Sequence, residues 1–379
     1  MPFSFVNHFC ILPFLMPPKV IVHVADAALS EASGMGRVAV HWRAAFVRRG
    51  YAFIHLGPPE ITASHPTAFP RRALAAYRAL PREPALLLVH EPAAGAFVQE
   101  SVPTFVFSHG LESRGAAIAP SDAASRAGVE KLRRLVTAPL WRRRTLSCDR
   151  GFRHATAALL INQEDAAFAA SHHGVTRERR MVFRNGVSTV AGDTSLPTAE
   201  RCRVLFIGTW ERRKGVETLC KAASLLAARR IDVSWHLAGT GVSEEAVRAA
   251  WPRELAAATR VTPKFPAAEE AAMFRESSLF VLPSFFEGQP LSLLQAMAWG
   301  RCCVVADGCG QRDLIVPRRN GLLHAPGDAE ALAALLAECV ADSKLRAQLG
   351  ASARASVHGR TWETVSDEVV SFVEALAGA

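Results

Sequence analysis

SLFVLPSFFEGQPLSLLQAMAWGRCCVVA, residues Ser278 to Ala306, reads as strand, loop, helix and strand in that order. Leu279–Leu282 is a short run without a polar residue, as a strand buried on both faces of a parallel sheet should be. Pro283 and Ser284 stop it, and Phe285–Gln289 form a loop that carries one acid, Glu287. Pro290 stands where a helix accepts its first residue, because its missing N–H would be unpaired there anyway. Leu291–Trp299 are good helix formers, Gly300 supplies a left-handed stop, and Cys302–Ala306 is the next strand. In an open parallel sheet, ligands bind beyond the carboxyl ends of the strands. The spacing therefore puts Glu287, Gly288 and the first helical turn in a ligand crevice, with free N–H groups facing an anion.

The same alternation extends outward. Near the start, a strand at Lys19–Ala25 leads through a loop with Ser33-Gly34-Met35-Gly36 into a helix, Arg37–Arg49, and a strand, Tyr51–Leu56. That is the opening of a doubly wound α/β sheet. Further strands are predicted at Ala85–Val89, Thr104–Phe107, Ala157–Ile161 and Met181–Phe183. Val190–Glu200 is polar, contains Gly and Pro, and reads as a linker. The pattern then restarts with a strand at Val204–Ile207, a loop at Gly208–Gly215, a helix at Val216–Arg229 and a strand at Val233–Leu237. A strand near Val261 and a helix at Ala267–Ser277 lead back to the opening stretch. Two Rossmann-like domains are expected, residues 19–195 and 196–360, preceded by an extension (1–18) and followed by a helix (361–379). The extension is apolar but has no basic start and is interrupted by Asn7, His8 and prolines, so it reads as a poor signal peptide, too short to span a membrane.

Glu287-Gly288-Gln289-Pro290-Leu291-Ser292-Leu293-Leu294-Gln295 resembles the E-x7-E element of glycosyltransferase family 4, whose members are retaining, nucleotide-sugar-dependent enzymes of the GT-B fold. The resemblance implies two domains facing a central cleft, with Glu287 fixing the donor sugar and Gly288, Gln289 and Pro290 beside the donor. Gln295 occupies the place of the family's second acid, which accepts hydrogen bonds from the donor ribose, so a looser ribose contact is implied. Gly208–Gly215 (GTWERRKG) resembles the family's G-R-x(n)-K-G element, which holds the donor diphosphate. Lys214 fits it, but Thr209 stands where the family has Arg, so Arg212 or Arg213 must serve. A Lys and an Arg beside a helix N-terminus make a diphosphate site on physical grounds; the plain alternative is an exposed basic turn. His109 follows a strand directly, where family members often carry a histidine near the donor sugar, although a lone histidine there is commonly structural. Gly34 lies in a loop that the family places near the donor, or it merely permits a tight turn. Arg184-Asn185-Gly186-Val187 resembles the family's N-G-V turn and reads as a left-handed Asn-Gly turn. Asp307–Arg312 reads as a Gly-rich strand-end loop, and in GT-B proteins the last helix, here Trp362–Leu376, crosses back to the first domain.

Size and composition agree with two globular domains: 379 residues, 50% apolar and 21% charged. Eight cysteines show no C-x-x-C and read as buried thiols in a reducing compartment. The net charge of +9 lies wholly in residues 1–195, where 23 Lys and Arg face 14 Asp and Glu; beyond them the count is 21 against 21. Lys131–Arg153, which includes Leu140 and Trp141, is either a solvated basic face or a surface for an anionic acceptor or acidic lipid headgroups. Nucleic acid is not expected, because no aromatics are interleaved as stacking platforms. No D-x-D occurs, so neither a metal nor another cofactor is expected. The expected function is a retaining glycosyltransferase that moves a sugar from a nucleotide-sugar donor to a hydroxyl of a glycan, lipid-linked or other acceptor. The expected place is the cytoplasm, with peripheral contact at the inner face of an anionic membrane. Its rival is a weakened relative that binds a nucleotide-sugar or a partner without turnover, which Thr209 and Gln295 favour.

Overall fold

The computed structural model describes residues 18–378 except 32, 62–66, 82, 119–126, 189, 191, 193 and 198–200; over 116–118 and 127–138 only the backbone is described. The amino-terminal extension and parts of the linker thus lie outside the described residues. Six strands, β1 (Val20–Val24), β2 (Ala52–Leu56), β3 (Leu86–His90), β4 (Thr104–Phe107), β5 (Ala157–Leu160) and β6 (Arg180–Val182), form one sheet in the order β2-β1-β3-β4-β5-β6. Six more, β7 (Cys202–Ile207), β8 (Val233–Ala238), β9 (Thr259–Thr262), β10 (Leu279–Leu282), β11 (Cys302–Ala306) and β12 (Leu322–His324), form a second in the order β12-β11-β10-β7-β8-β9. Every pairing is parallel. This is the GT-B architecture of two doubly wound α/β domains.

The apolar runs become the strands for a simple reason. Helices cover both faces of each sheet, so a central strand has no side that water reaches. All four residues of β10 are fully buried, and so are Leu86–Val89 of β3. In the second sheet the chain winds outward through β7, β8 and β9, then returns to place β10 on the other side of β7. The order reverses between β7 and β10, and the two loops that leave their carboxyl ends diverge to open a crevice there.

The terminal helix Trp362–Ala377 packs on the helix Gly34–Arg48 of the first domain. Trp362, Val369 and Val373 share its core with Trp42 and Phe46. Ion pairs rim the contact, Arg48 to Asp367 at 2.8 Å and Arg49 to Glu374 at 2.9 Å; being exposed, they add little.

Four local expectations are corrected. The first helix begins at Gly34, not Arg37: Ser33 caps it by accepting the Gly36 N–H at 3.1 Å. Gly36 is needed because a Cβ there would stand 2.4 Å from the Ser30 carbonyl oxygen. Residues 307–312 are not all loop, since a helix runs over Cys309–Leu314. Pro290 is the N-cap in an extended conformation, and the helix proper is Leu291–Ala298. Finally, neither Asn185 nor Gly186 is left-handed. Gly186 is small for another reason: a Cβ would lie 2.5 Å from the Trp362 Cα and 2.6 Å from its nitrogen. Gly186→Ala should therefore push the terminal helix off the first domain at a cost of about 1–3 kcal/mol, read as a Tm lowered by several degrees in a thermal melt.

Candidate active site

The loop after β7 ends in a 3-10 turn, Arg212–Lys214, closed by Gly215 with φ at 72°. Gly215 cannot carry a side chain: a Cβ would stand 2.0 Å from the Pro283 carbonyl oxygen at the end of β10. The two loops are thus locked together at the point where strand order reverses. Phe285 N–H donates to the Arg213 carbonyl at 2.9 Å, and Arg213 returns a guanidinium bond to the Phe286 carbonyl at 3.0 Å. Between the loops, Lys214 Nζ lies 2.6 Å from Glu287 Oε1, and Arg213 reaches the same oxygen at 3.8 Å. Burial would raise the Glu287 carboxyl, but the Lys214 and Arg213 charges outweigh it and hold the group below the ordinary carboxylate range.

A cavity of about 900 Å³ opens here between the domains, a size suited to a small-molecule ligand. Of the residues anticipated from sequence, Glu287, Gly288, Gln289, Pro290, Lys214, Arg213, His109 and Gly34 line it. Two do not. Arg212 turns to Glu217, with Nε 3.0 Å from Oε1, so Arg213 is the arginine the turn presents. Gln295 is buried in an adjoining recess of about 600 Å³, where its Nε2 donates to Ser188 Oγ at 3.2 Å.

Not every lining residue is free to bind. The Gln289 side-chain oxygen accepts from Asn185 N–H at 2.7 Å and from Arg360, and its Nε2 donates to the Ile161 carbonyl at 3.4 Å. Its amide therefore holds the first domain to the second. Gly288 does the same by close approach, since a Cβ there would lie 2.0 Å from the His109 carbonyl oxygen. His109 itself stands among Phe107, Phe183, His90 and Trp42. Burial pushes its pKa down to about 4, so at neutral pH it offers an uncharged ring with one donor and one acceptor.

Sequence reasoning missed the far wall, formed by Gly239 and Gly241 after β8, Pro263–Phe265 after β9, and Glu270 on the helix Ala267–Arg275. A firm assignment of β9 would have pointed to it, since its loop leaves the same edge of the sheet. Chemically, the near wall offers two cations and the free N–H groups of the helix beginning at Leu291, and can hold a dianion. Among the described residues no group of three or more His, Cys, Asp or Glu is placed to hold a metal ion.

Lys214→Ala would leave the Glu287 carboxylate buried with only the longer Arg213 contact, at a cost of about 3–5 kcal/mol near neutral pH. In the native protein the depressed Glu287 pKa stabilises above the ordinary value of 4.5 and is lost as pH falls through the folded pKa. In the variant only the Arg213 charge opposes burial, so the pKa rises relative to the native protein, and protonation relieves the burial cost. The variant's deficit should accordingly shrink at pH 4; equal deficits in melts at pH 4 and pH 7 would count against the pairing.

Residues 195–356 match the family model of the glycosyl transferases group 1. The chain is 33% identical over 174 residues to a GDP-mannose-dependent alpha-mannosyltransferase of Mycolicibacterium smegmatis, covering 46% of this chain and 43% of that protein. It is 32% identical over 178 residues to a phosphatidyl-myo-inositol mannosyltransferase of the same organism, covering 46% of each. The chain thus spans less than half the length of these curated relatives. Among solved structures it superposes on a sucrose-phosphate synthase from Thermosynechococcus elongatus with a TM-score of 0.74 at 18% identity, over 95% of this chain and 99% of that one, which speaks for the fold alone. Residues 195–356, nearly all of the second domain, thus resemble the group 1 glycosyl transferases, and the chain has the GT-B fold.

Proposed function

We propose that the protein transfers a sugar from a nucleotide-sugar donor to an acceptor hydroxyl, with retention at the anomeric carbon, in glycan or glycolipid synthesis. The observation that carries this reading is the meeting of Lys214, Arg213, Glu287 and a helix N-terminus at one end of an interdomain cavity. The donor diphosphate lies against Lys214, Arg213 and the N–H groups at the start of the helix Leu291–Ala298. The bond from the anomeric carbon to the diphosphate oxygen breaks, a bond to the acceptor oxygen forms, and the hydroxyl proton leaves with the nucleoside diphosphate. Charge accumulates on that leaving group, and preorganised cations and N–H groups stabilise it where it builds. A phosphate arriving at Lys214 shares that cation with Glu287, whose carboxylate then turns its acceptor capacity to the sugar hydroxyls and fixes their pose. His109, uncharged, adds a hydrogen bond from the first domain. The chemistry asks for no metal, since the protein's own cations face the diphosphate. The GDP-mannose in one relative's name, and the phosphatidyl-inositol in the other's, are of the donor and acceptor classes proposed.

Purified protein with UDP-, GDP- and ADP-sugars should release nucleoside diphosphate from one class, and EDTA should leave the rate unchanged. Glu287→Gln should lower kcat at least a hundredfold. A protein that neither binds nor cleaves any of the three classes would overturn the reading.

We also propose that the acceptor side rests on an anionic membrane surface through the helix Ala127–His154. That helix exposes Leu140, Trp141 and Leu146 beside Arg142 and Arg143. Exposed apolar side chains among arginines suit an acidic interface. Other charges of the basic stretch are engaged elsewhere: Arg144 bonds Glu112, and Arg153 pairs with Asp149 at 3.0 Å. The side chains of Lys131, Arg133 and Arg134 lie outside the described residues. Among those described, no helix is long and apolar enough to cross a membrane. Sedimentation with vesicles should require acidic lipid, weaken with salt, and fall several-fold in Trp141→Ala; equal binding to neutral vesicles would refute the contact.

A further inference from the structure

Glu270 is a half-buried carboxylate in the cavity wall with no hydrogen-bond or ion-pair partner among the described residues. Such a group is expensive to keep unless something satisfies it. It stands in the first turn of the helix Ala267–Arg275, at the rim shared by the main cavity and the recess that holds Gln295. Burial pushes its carboxyl above the ordinary range, and Arg37 on the opposite domain offsets this in part. Arg37 does not bond to it; the Arg37 guanidinium donates instead to the Glu31 carbonyl at 3.3 and 3.2 Å.

The sheet sets where Glu270 lies relative to a bound donor. The diphosphate cations leave β7, and the loop Pro263–Phe265, which leads into the Glu270 helix, leaves β9, two strands away in the order β7-β8-β9. Two strand spacings are about 10 Å, a reach that takes in a ribose and part of its base. The sugar end of the donor faces the other way, toward Glu287 and His109. A ribose presents two adjacent hydroxyl donors, and a carboxylate offers only acceptors, enough for both at once. Gln295 keeps its amide nitrogen on Ser188 Oγ and has no charge to offer.

We propose that Glu270 is the carboxylate that accepts the ribose hydroxyls of the donor nucleotide, in the recess rim that Gln295 leaves uncharged. The proposal rests on the nucleotide-sugar reading above, and it assigns Glu270 to donor binding and to the choice of ribose over deoxyribose.

The test is calorimetric titration of the native protein, Glu270→Gln and Glu270→Ala with UDP, GDP and ADP, and with the 2′-deoxy and 3′-deoxy forms of whichever binds. The native protein should prefer the ribonucleotide by about tenfold. Glu270→Ala should bind the ribonucleotide about tenfold more weakly and bind the deoxy forms as the native protein does, so that the preference disappears; Glu270→Gln should keep part of it. Melting curves of the three proteins establish that the fold is intact. If Glu270→Ala retains the full preference, or loses affinity for ribo and deoxy forms alike, Glu270 serves the domain interface with Arg37 and the proposal is overturned. If the native protein binds none of the three diphosphates, the nucleotide-sugar reading itself falls, and this assignment with it.

Discussion

The contact of 2.6 Å between Lys214 Nζ and Glu287 Oε1 ties together the two loops that leave the carboxyl ends of the adjacent central strands β7 and β10. Beyond the paired strands these loops are held by the Phe285 N–H bond to the Arg213 carbonyl, by side chains and by close approach. Two charges taken out of water cost more than they return unless each satisfies the other. The conformation of either loop is therefore conditional on its partner. Gly215 makes the dependence steric as well as electrostatic, since only a residue without a Cβ can sit against the Pro283 carbonyl in a left-handed conformation.

That interlock carries across to the first domain. The loop that carries Glu287 continues at once into Gly288 and Gln289, whose neighbours are His109, Asn162, Asn185 and Ile161. Asn162 donates to the Gly288 carbonyl at 3.2 Å, and Asn185 donates to the Gln289 carbonyl at 3.0 Å. A second set of ties lies beside it, where Arg312 pairs with Glu164 at 2.9 Å and Gln163 N–H donates to Asp313 at 2.8 Å. The segment that forms the ligand site is thus also one of the segments through which the domains touch.

The two walls divide the electrostatic work. The second domain supplies Lys214 and Arg213, whereas the first supplies His109, which burial pushes down to about 4, backed by His90, pushed down to about 3. An uncharged imidazole suits a sugar, whose hydroxyls need donors and acceptors but no counter-ion. Of the basic residues of the first domain, Arg37 lines the cavity, where its charge acts on Glu270, while Arg142 and Arg143 are exposed elsewhere.

Much of this was legible in residue order. Fully apolar runs such as LFVL and CCVVA identify strands because a strand covered on both faces cannot tolerate a polar residue, and the β-α alternation then dictates a parallel sheet. The carboxyl-end rule placed Glu287 and Lys214 beside one crevice for the same reason. What the order of residues left open was the choice of partner. Arg212 and Arg213 are adjacent and chemically identical, and only the packed turn shows that the first faces Glu217 and the second the cavity. Gln289 reads as a ligand-facing amide until the first domain supplies Asn185 and the Ile161 carbonyl to occupy it. Gly186 reads as a turn glycine until Trp362, far along the chain, arrives 2.5 Å from where its Cβ would be. Glu270 carries no local signal at all, because a carboxylate on a helix is ordinary until the tertiary fold buries it without a partner. Local sequence determines which backbone can form; which side chains remain free to bind is decided by the contacts the folded chain makes, many of them between segments about a hundred residues or more apart.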